Sequence, residues 1–152
     1  MSNSNRQERL KSLSYASKQR MDYALSKDNG LSGNGMIPHD LWRRIIPIAK
    51  EYDKRAANMA QLYSYLIAYV NGNPDNDRYM CAFPSVKTIN EDTGLGVNSI
   101  PLLSDMLVAV GLLVTTYDYV DVRKKKLYYP QYYTELTDGQ IRQRLANLLD
   151  VD

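Results

Sequence analysis

One cysteine and one histidine in 152 residues remove most of the chemistry a sequence can announce. Cys81 has no second thiol with which to close an internal disulfide, and no charged-then-apolar leader opens the chain, so a reducing cytoplasm is the expected setting. His39 stands alone, which excludes the His-x-His pair that a metal-dependent tyrosine nuclease needs. A Gly-rich phosphate loop, zinc-ligand spacing and a Ser/Cys–His arrangement are all missing, so the expectation is a protein that is not an enzyme and takes no cofactor or metal. Apolar runs are short. The longest, Ile100 to Val114, is interrupted by Ser104 and Asp105 and falls below the roughly 20 residues that span a bilayer, so no membrane partner is expected. Phenylalanine and tryptophan occur once each against 13 tyrosines, and since every buried hydroxyl needs a partner, many of those rings are expected half-exposed or at interfaces. A net charge of +2 does not mark a nucleic-acid binder by itself; the distribution of the bases has to decide.

Bases gather first at the amino-terminal end. Arg6, Arg9, Lys11, Lys18, Arg20 and Lys27 outnumber Glu8, Asp22 and Asp28, with Leu10, Leu13, Met21, Ala24 and Leu25 at broadly helical spacing, so residues 1–35 read as a basic, weakly amphipathic tail and a linker. The run from Asp28 to Gly35 is too rich in Gly, Asn and Ser to continue a helix. A folded domain is expected over 36–134. It opens on a short helix capped by Asp40 and broken or kinked at Pro47. From Ala49 onward Tyr52, Ala56, Met59, Tyr63, Leu66 and Val70 follow in steps of three and four, which predicts one long helix with a core-facing stripe, ended by Asn71-Gly72-Asn73-Pro74.

The segment Phe83-Pro84-Ser85-Val86-Lys87-Thr88-Ile89-Asn90-Glu91-Asp92-Thr93-Gly94-Leu95 carries the most information. Ser85 caps a short helix that turns Val86 and Ile89 inward, Gly94 permits a tight turn, and Leu95 plugs the angle before a second helix that buries Ile100, Leu103 and Leu107. Pro101 is harmless only among the first helical residues, so this second helix is predicted to begin at Asn98 or later, capped by Asn98 or Ser99, and to end by Val110. Gly111 closes it. Leu112 to Tyr119 then reads as a strand, Asp121 to Lys126 as a hairpin tip, and Leu127 to Tyr133 as the return strand. Residues 135–152 form a terminal helix with a Thr137/Gln140 capping box and an apolar stripe of Ile141, Leu145, Leu148 and Leu149, suited either to packing on the domain or to a dimer contact.

This order, mainly α with a small β-hairpin, resembles the winged helix-turn-helix domains of replication initiators, DnaD-like replication proteins and transcriptional regulators of Gram-positive bacteria, their plasmids and phages. The resemblance covers about two-thirds of the chain; it implies a winged helix-turn-helix fold and the binding of double-stranded DNA, as a homodimer, in replication, partition or transcription control. On that reading the candidate DNA contacts are Ser85, Lys87 and Thr88 on the first helix and Asn98, Ser99 and Leu102 on the second. Arg123, Lys124, Lys125 and Lys126 on the hairpin, with Arg43 and Arg44, supply phosphate contacts.

The second helix departs from the family. Its outward positions, Val97, Asn98, Pro101, Leu102 and Asp105, include no cation, and Gly96 replaces the usual capping hydroxyl. Two uses fit such a face: reading thymine methyls through Leu102 and a base edge through Asn98, or docking on another replication or regulatory protein. A third reading takes Tyr117, Tyr119, Tyr128 and Tyr129 as stacking platforms for single strands, with core packing as their ordinary explanation.

Overall fold

Proline and aspartate decide where the helices of this chain start and stop. A computed structural model describes residues 3–26 and 35–150, which fall into two units, one before Gly35 and one from Gly35 onward. The first unit contains α1 (Asn3–Leu25), a continuous helix through the basic segment with a Lys18–Asp22 ion pair of 2.8 Å one turn apart. The linker expected from Asp28 lies, apart from Gly35, outside the described residues. The second unit is mainly helical with one two-stranded antiparallel hairpin. Among the described residues no helix is long and apolar enough to cross a membrane.

The helix changes at Pro47 as expected: the chain loosens the turn before it. Leu41–Ile45 winds as a π-helix, with the Ile46 amide reaching back to the Leu41 carbonyl, and α2 (Ile46–Ala49) then opens with Pro47 in its first turn, where an amide needs no internal partner. Asp40 is not the expected cap. Its backbone is already helical, and its carboxylate accepts from the Nε and Nη2 edge of the Arg44 guanidinium at 2.7 and 2.6 Å. The long helix expected from Ala49 to Val70 is likewise two pieces. Asp53 accepts the Arg55 amide at 2.8 Å and pairs with its guanidinium, a local bond that competes with helix continuation. Turns therefore separate α2 from α3 (Asn58–Ala68). The apolar stripe survives the interruption: Ala49, Ala56, Met59, Tyr63 and Leu66 are all buried in one core.

The next helices follow the predicted pattern closely. Ser85 caps α4 (Val86–Thr93), its Oγ accepting the Thr88 amide at 3.1 Å, and Gly94 ends the helix in the left-handed region at φ 79°. Leu95 is buried in the angle that follows. α5 (Ser99–Ala109) starts after Asn98, as Pro101 requires, but neither Asn98 nor Ser99 caps it. The amides of Ser99 and Ile100 both turn to the Gly96 carbonyl, at 2.9 and 3.1 Å. Gly111, at φ 86°, closes α5: its amide reaches the Val108 carbonyl at 3.1 Å and that of Leu112 reaches Leu107 at 3.0 Å.

β1 (Leu113–Val120) and β2 (Arg123–Pro130) pair in register from Leu113 with Pro130 to Val120 with Arg123. The turn is only Asp121-Val122, with Asp121 at φ 58°, so Arg123 to Lys126 are not a tip but the first half of β2. Aspartate tolerates that left-handed geometry better than most residues, which lets the strands run to the end of the hairpin. A single bridge fixes the hairpin to the helices: Ala82 and Tyr128 exchange two hydrogen bonds, both of 2.8 Å. The buried Tyr63 hydroxyl donates to the Gln131 carbonyl at 2.7 Å and anchors the strand's exit.

α6 (Asp138–Leu149) begins with the predicted capping box, Thr137 and Gln140 bonding reciprocally at 2.9 and 3.2 Å. Ile141 and Leu145 are fully buried in the core and the helix packs on α5 and α2. Arg44 ties the start of α6 to the π-helical turn: besides Asp40 it holds Asp138 at 3.0 Å and the Leu136 carbonyl at 3.1 Å. The Arg44 hydrogen bonds keep the Asp40 carboxyl below its ordinary value of 3.8.

Two predictions follow from these contacts. Gly94 and Gly111 both require positive φ, but a Cβ at Gly111 would collide with the Thr134 side chain whereas Gly94 faces open space. Urea unfolding of Gly94→Ala should show a loss of about 1 kcal/mol, and of Gly111→Ala clearly more. Arg44→Ala should cost about 1 kcal/mol at neutral pH, solvent screening keeping the value modest. Because Asp40 is more acidic folded than unfolded, its contribution is present above about pH 4 and lost as pH falls through the lowered value, so wild type and variant should converge in acid.

Candidate functional site

Most bases of the second unit are either committed to internal pairs or gathered beside β2. Arg44 is committed to the clamp on α6, and its guanidinium gains from Asp40 first and Asp138 second. Arg43 is exposed and makes no ion pair among the described residues, but it lies on the π-helical turn, apart from the bases of β2. Lys87, largely solvated, stands 3.9 Å from Glu91 on its own helix.

The four bases of β2 line a groove of about 770 Å³ whose other wall is the entry to α4, from Phe83 to Val86. Strand alternation splits them. Lys124 and Lys126 share one face: the Lys124 ammonium sits 3.9 Å from the centre of the Tyr117 ring, and that of Lys126 sits 5.2 Å from the Tyr128 ring and 3.5 Å from the Ser104 Oγ on α5. Lys125 points to the opposite face, 5.2 Å from the Phe83 ring. Phe83 carries a second cation, Arg78, at 5.6 Å; Arg78 in turn pairs with Asp118 at 2.7 Å. Aromatic faces thus carry the three lysines without neutralising them. Ser85 opens into the same groove, and Thr88 shares with Lys125 a smaller adjoining cleft bounded by Tyr65 and Tyr69. Ser85 and Thr88 hydroxyls are 2.9 Å apart, so each can exchange that bond for an outside acceptor.

Asn98 and Ser99 form a second cluster at the head of α5. Asn98 is exposed with no capping bond, and Ser99 lies 3.5 Å from the Arg55 guanidinium, so Arg55 brings a positive charge to a helix that has none. Its role was hidden because the sequence places it inside an expected helix, and only the Asp53 turn redirects it. Of the outward face, Val97, Pro101 and Asp105 are exposed while Leu102 is half-buried against the core. Tyr128, a proposed stacking platform, is 2% exposed, with burial first and the nearby Tyr117 and Asp105 next holding its hydroxyl protonated; Tyr117 and Tyr119 are open.

Burial raises the Cys81 thiol, so it is a poor nucleophile, and burial with the Asp92 hydrogen bond holds Tyr65 protonated. Among the described residues no three His, Cys, Asp or Glu side chains cluster as metal ligands would. What the groove can do is hold anions: it gathers Arg78 and the four bases of β2 beside the Ser85 hydroxyl, with Thr88 in the adjoining cleft. No protein-family model matches the chain, and no curated protein or solved structure matches it either.

Proposed function

We propose that the unit from Gly35 is a winged helix-turn-helix domain that binds double-stranded DNA, with β1 and β2 as the wing. The observation that carries this reading is the shared groove: Ser85 at the head of α4 opens beside Arg123 to Lys126 of β2. Element order supports it, since α3, the Ala82 bridge, α4, α5 and the hairpin follow one another as in such domains. Phosphates are the natural ligands of a row of bases beside a helix amino terminus. The wing strand then supplies most of the attraction, and α5, lacking cations of its own, reads sequence through Asn98 and Ser99 with Arg55 alongside. The service proposed is replication, partition or transcription control of a plasmid, phage or bacterial chromosome, in the cytoplasm and without catalysis.

A second reading has one observation in its favour. Val97, just before α5, and Pro101 and Asp105 on it are exposed, a mixed apolar and acidic surface suited to docking on a protein of a replication or regulatory complex. Dimerisation belongs to the proposal too: Ile141 and Leu145 of α6 serve the core of one chain, whereas Leu148 of the same stripe stays exposed. The exposed Trp42 beside Ile37 is the apolar surface proposed for a second copy.

Fluorescence anisotropy against duplexes at several salt concentrations tests the DNA reading. Replacing Lys124, Lys125 and Lys126 together with Ala should weaken binding to every duplex and flatten the salt slope by about one unit per lost contact, while Asn98→Ala should mainly relax sequence preference. Equal affinity and slope for wild type and triple variant would remove the wing as anchor, and no duplex binding at low salt would leave the protein-docking reading in its place. Sedimentation equilibrium at high micromolar concentration should give a dimer mass that Trp42→Ala lowers; a monomer throughout would end the dimer proposal.

A further inference from the structure

The hairpin has an open edge, and the reason is a single proline. Ala82 pairs with Tyr128, exchanging both backbone hydrogen bonds, so a third strand has been started along β2. In antiparallel register the next pair of that kind would be Pro84 with Lys126. Pro84 has no amide to donate and turns the chain into α4 instead, with Ser85 as its cap. The third strand is therefore one bridge long. Backbone groups alternate sides along a strand, so Lys126 and Lys124, two and four residues before Tyr128, direct their N–H and C=O groups away from β1, into the groove beside Pro84. Among the described residues no backbone group bonds the Lys124 or Lys126 amide from that side.

We propose that this edge takes an extended, acidic peptide segment as an added strand of the hairpin. The recognition chemistry is specific. An edge of alternating N–H and C=O groups is completed by another peptide backbone, which brings both donors and acceptors, whereas a phosphodiester has no hydrogen to give the Lys124 and Lys126 carbonyls. Charge decides what kind of peptide. Arg123, Lys124, Lys125 and Lys126 surround the edge against one acid, Asp121, at its far end. Phe83, Val86 and the almost fully exposed Val122 supply apolar surface for alternate side chains. The occupant is thus a partner strand with acidic residues interleaved with small apolar ones. It uses the cations proposed for duplex DNA but different backbone groups, so it stands or falls independently of that reading, and where both ligands bind they exclude each other.

The probe is a synthetic, fluorescently labelled peptide of alternating glutamate and valine, compared with the same peptide N-methylated at alternate amides and with its lysine-for-glutamate counterpart. Binding is read by anisotropy, and its location by amide hydrogen exchange of the intact chain. The acidic peptide should bind and slow exchange at Lys124 and Lys126 by at least about tenfold; N-methylation should weaken it by about tenfold, and the basic peptide should not bind. The exposed-site variant Arg123→Glu, its fold checked by its amide spectrum, should weaken the acidic peptide further. Failure of the acidic peptide to bind overturns the proposal. So does binding that N-methylation leaves unchanged, or binding without protection at Lys124 and Lys126, since either shows a polyanion surface and not an added strand. Duplex affinity, measured separately on the same protein, reports on the DNA reading alone.

Discussion

Two hydrogen bonds between Ala82 and Tyr128 hold the helices and the hairpin of this protein in one frame. Ala82 is the residue paired with β2 before the chain commits to α4, and Tyr128 is the β2 ring buried in the core. Pinning one to the other sets where β2 lies relative to the head of α4. Everything that makes the groove follows: Pro84 cannot extend the pairing, Ser85 caps the helix that starts there, and the bases upstream of Tyr128 run along the space that a third strand would have filled. Shifting the bridge by one residue would reverse the faces of Lys124, Lys125 and Lys126.

Electrostatics then separate structural charge from available charge. Arg44 spends its guanidinium on Asp40, Asp138 and a carbonyl, which joins the first turn of the unit to α6. Arg55 is held by Asp53 yet still reaches Ser99, and Arg142 pairs with Glu51 across the surface. Lys124, Lys125 and Lys126 have ring faces for company and no carboxylate partner among the described residues. A cation over a ring keeps its full charge for an incoming anion, whereas one in an ion pair must first give up a partner. The division of labour between β2 and the clamp is therefore a matter of which carboxylates lie within reach.

Local chemistry was legible where one residue controls the backbone. Pro101 delays α5, Gly94 and Gly111 take positive φ, Ser85 and Thr137 cap, and each does so as its type and spacing imply. Misreadings came where two groups compete for one bond. Asp40 looks like a cap until Arg44, one turn on, offers two N–H groups; Asp53 sits silently within a helical pattern until it takes the Arg55 amide. The position of the four bases was misplaced because hairpin length depends on whether Asp121 accepts a left-handed conformation, which composition does not state. Clusters such as Ser85 with β2, or Arg55 with Ser99, join residues tens of positions apart, and no local pattern announces them.

The proposed place where this protein meets DNA is the groove between the α4 entry and β2. The most direct test is a titration of the isotope-labelled chain with a short duplex at low salt, followed residue by residue through backbone amide resonances. The largest changes should fall together on Ser85 to Thr88 and on Arg123 to Lys126, with smaller ones at Asn98 and Ser99, while Arg44 and the buried face of α6 stay unmoved. Changes centred on the Trp42 surface or on α6, or none at any duplex concentration, would contradict it.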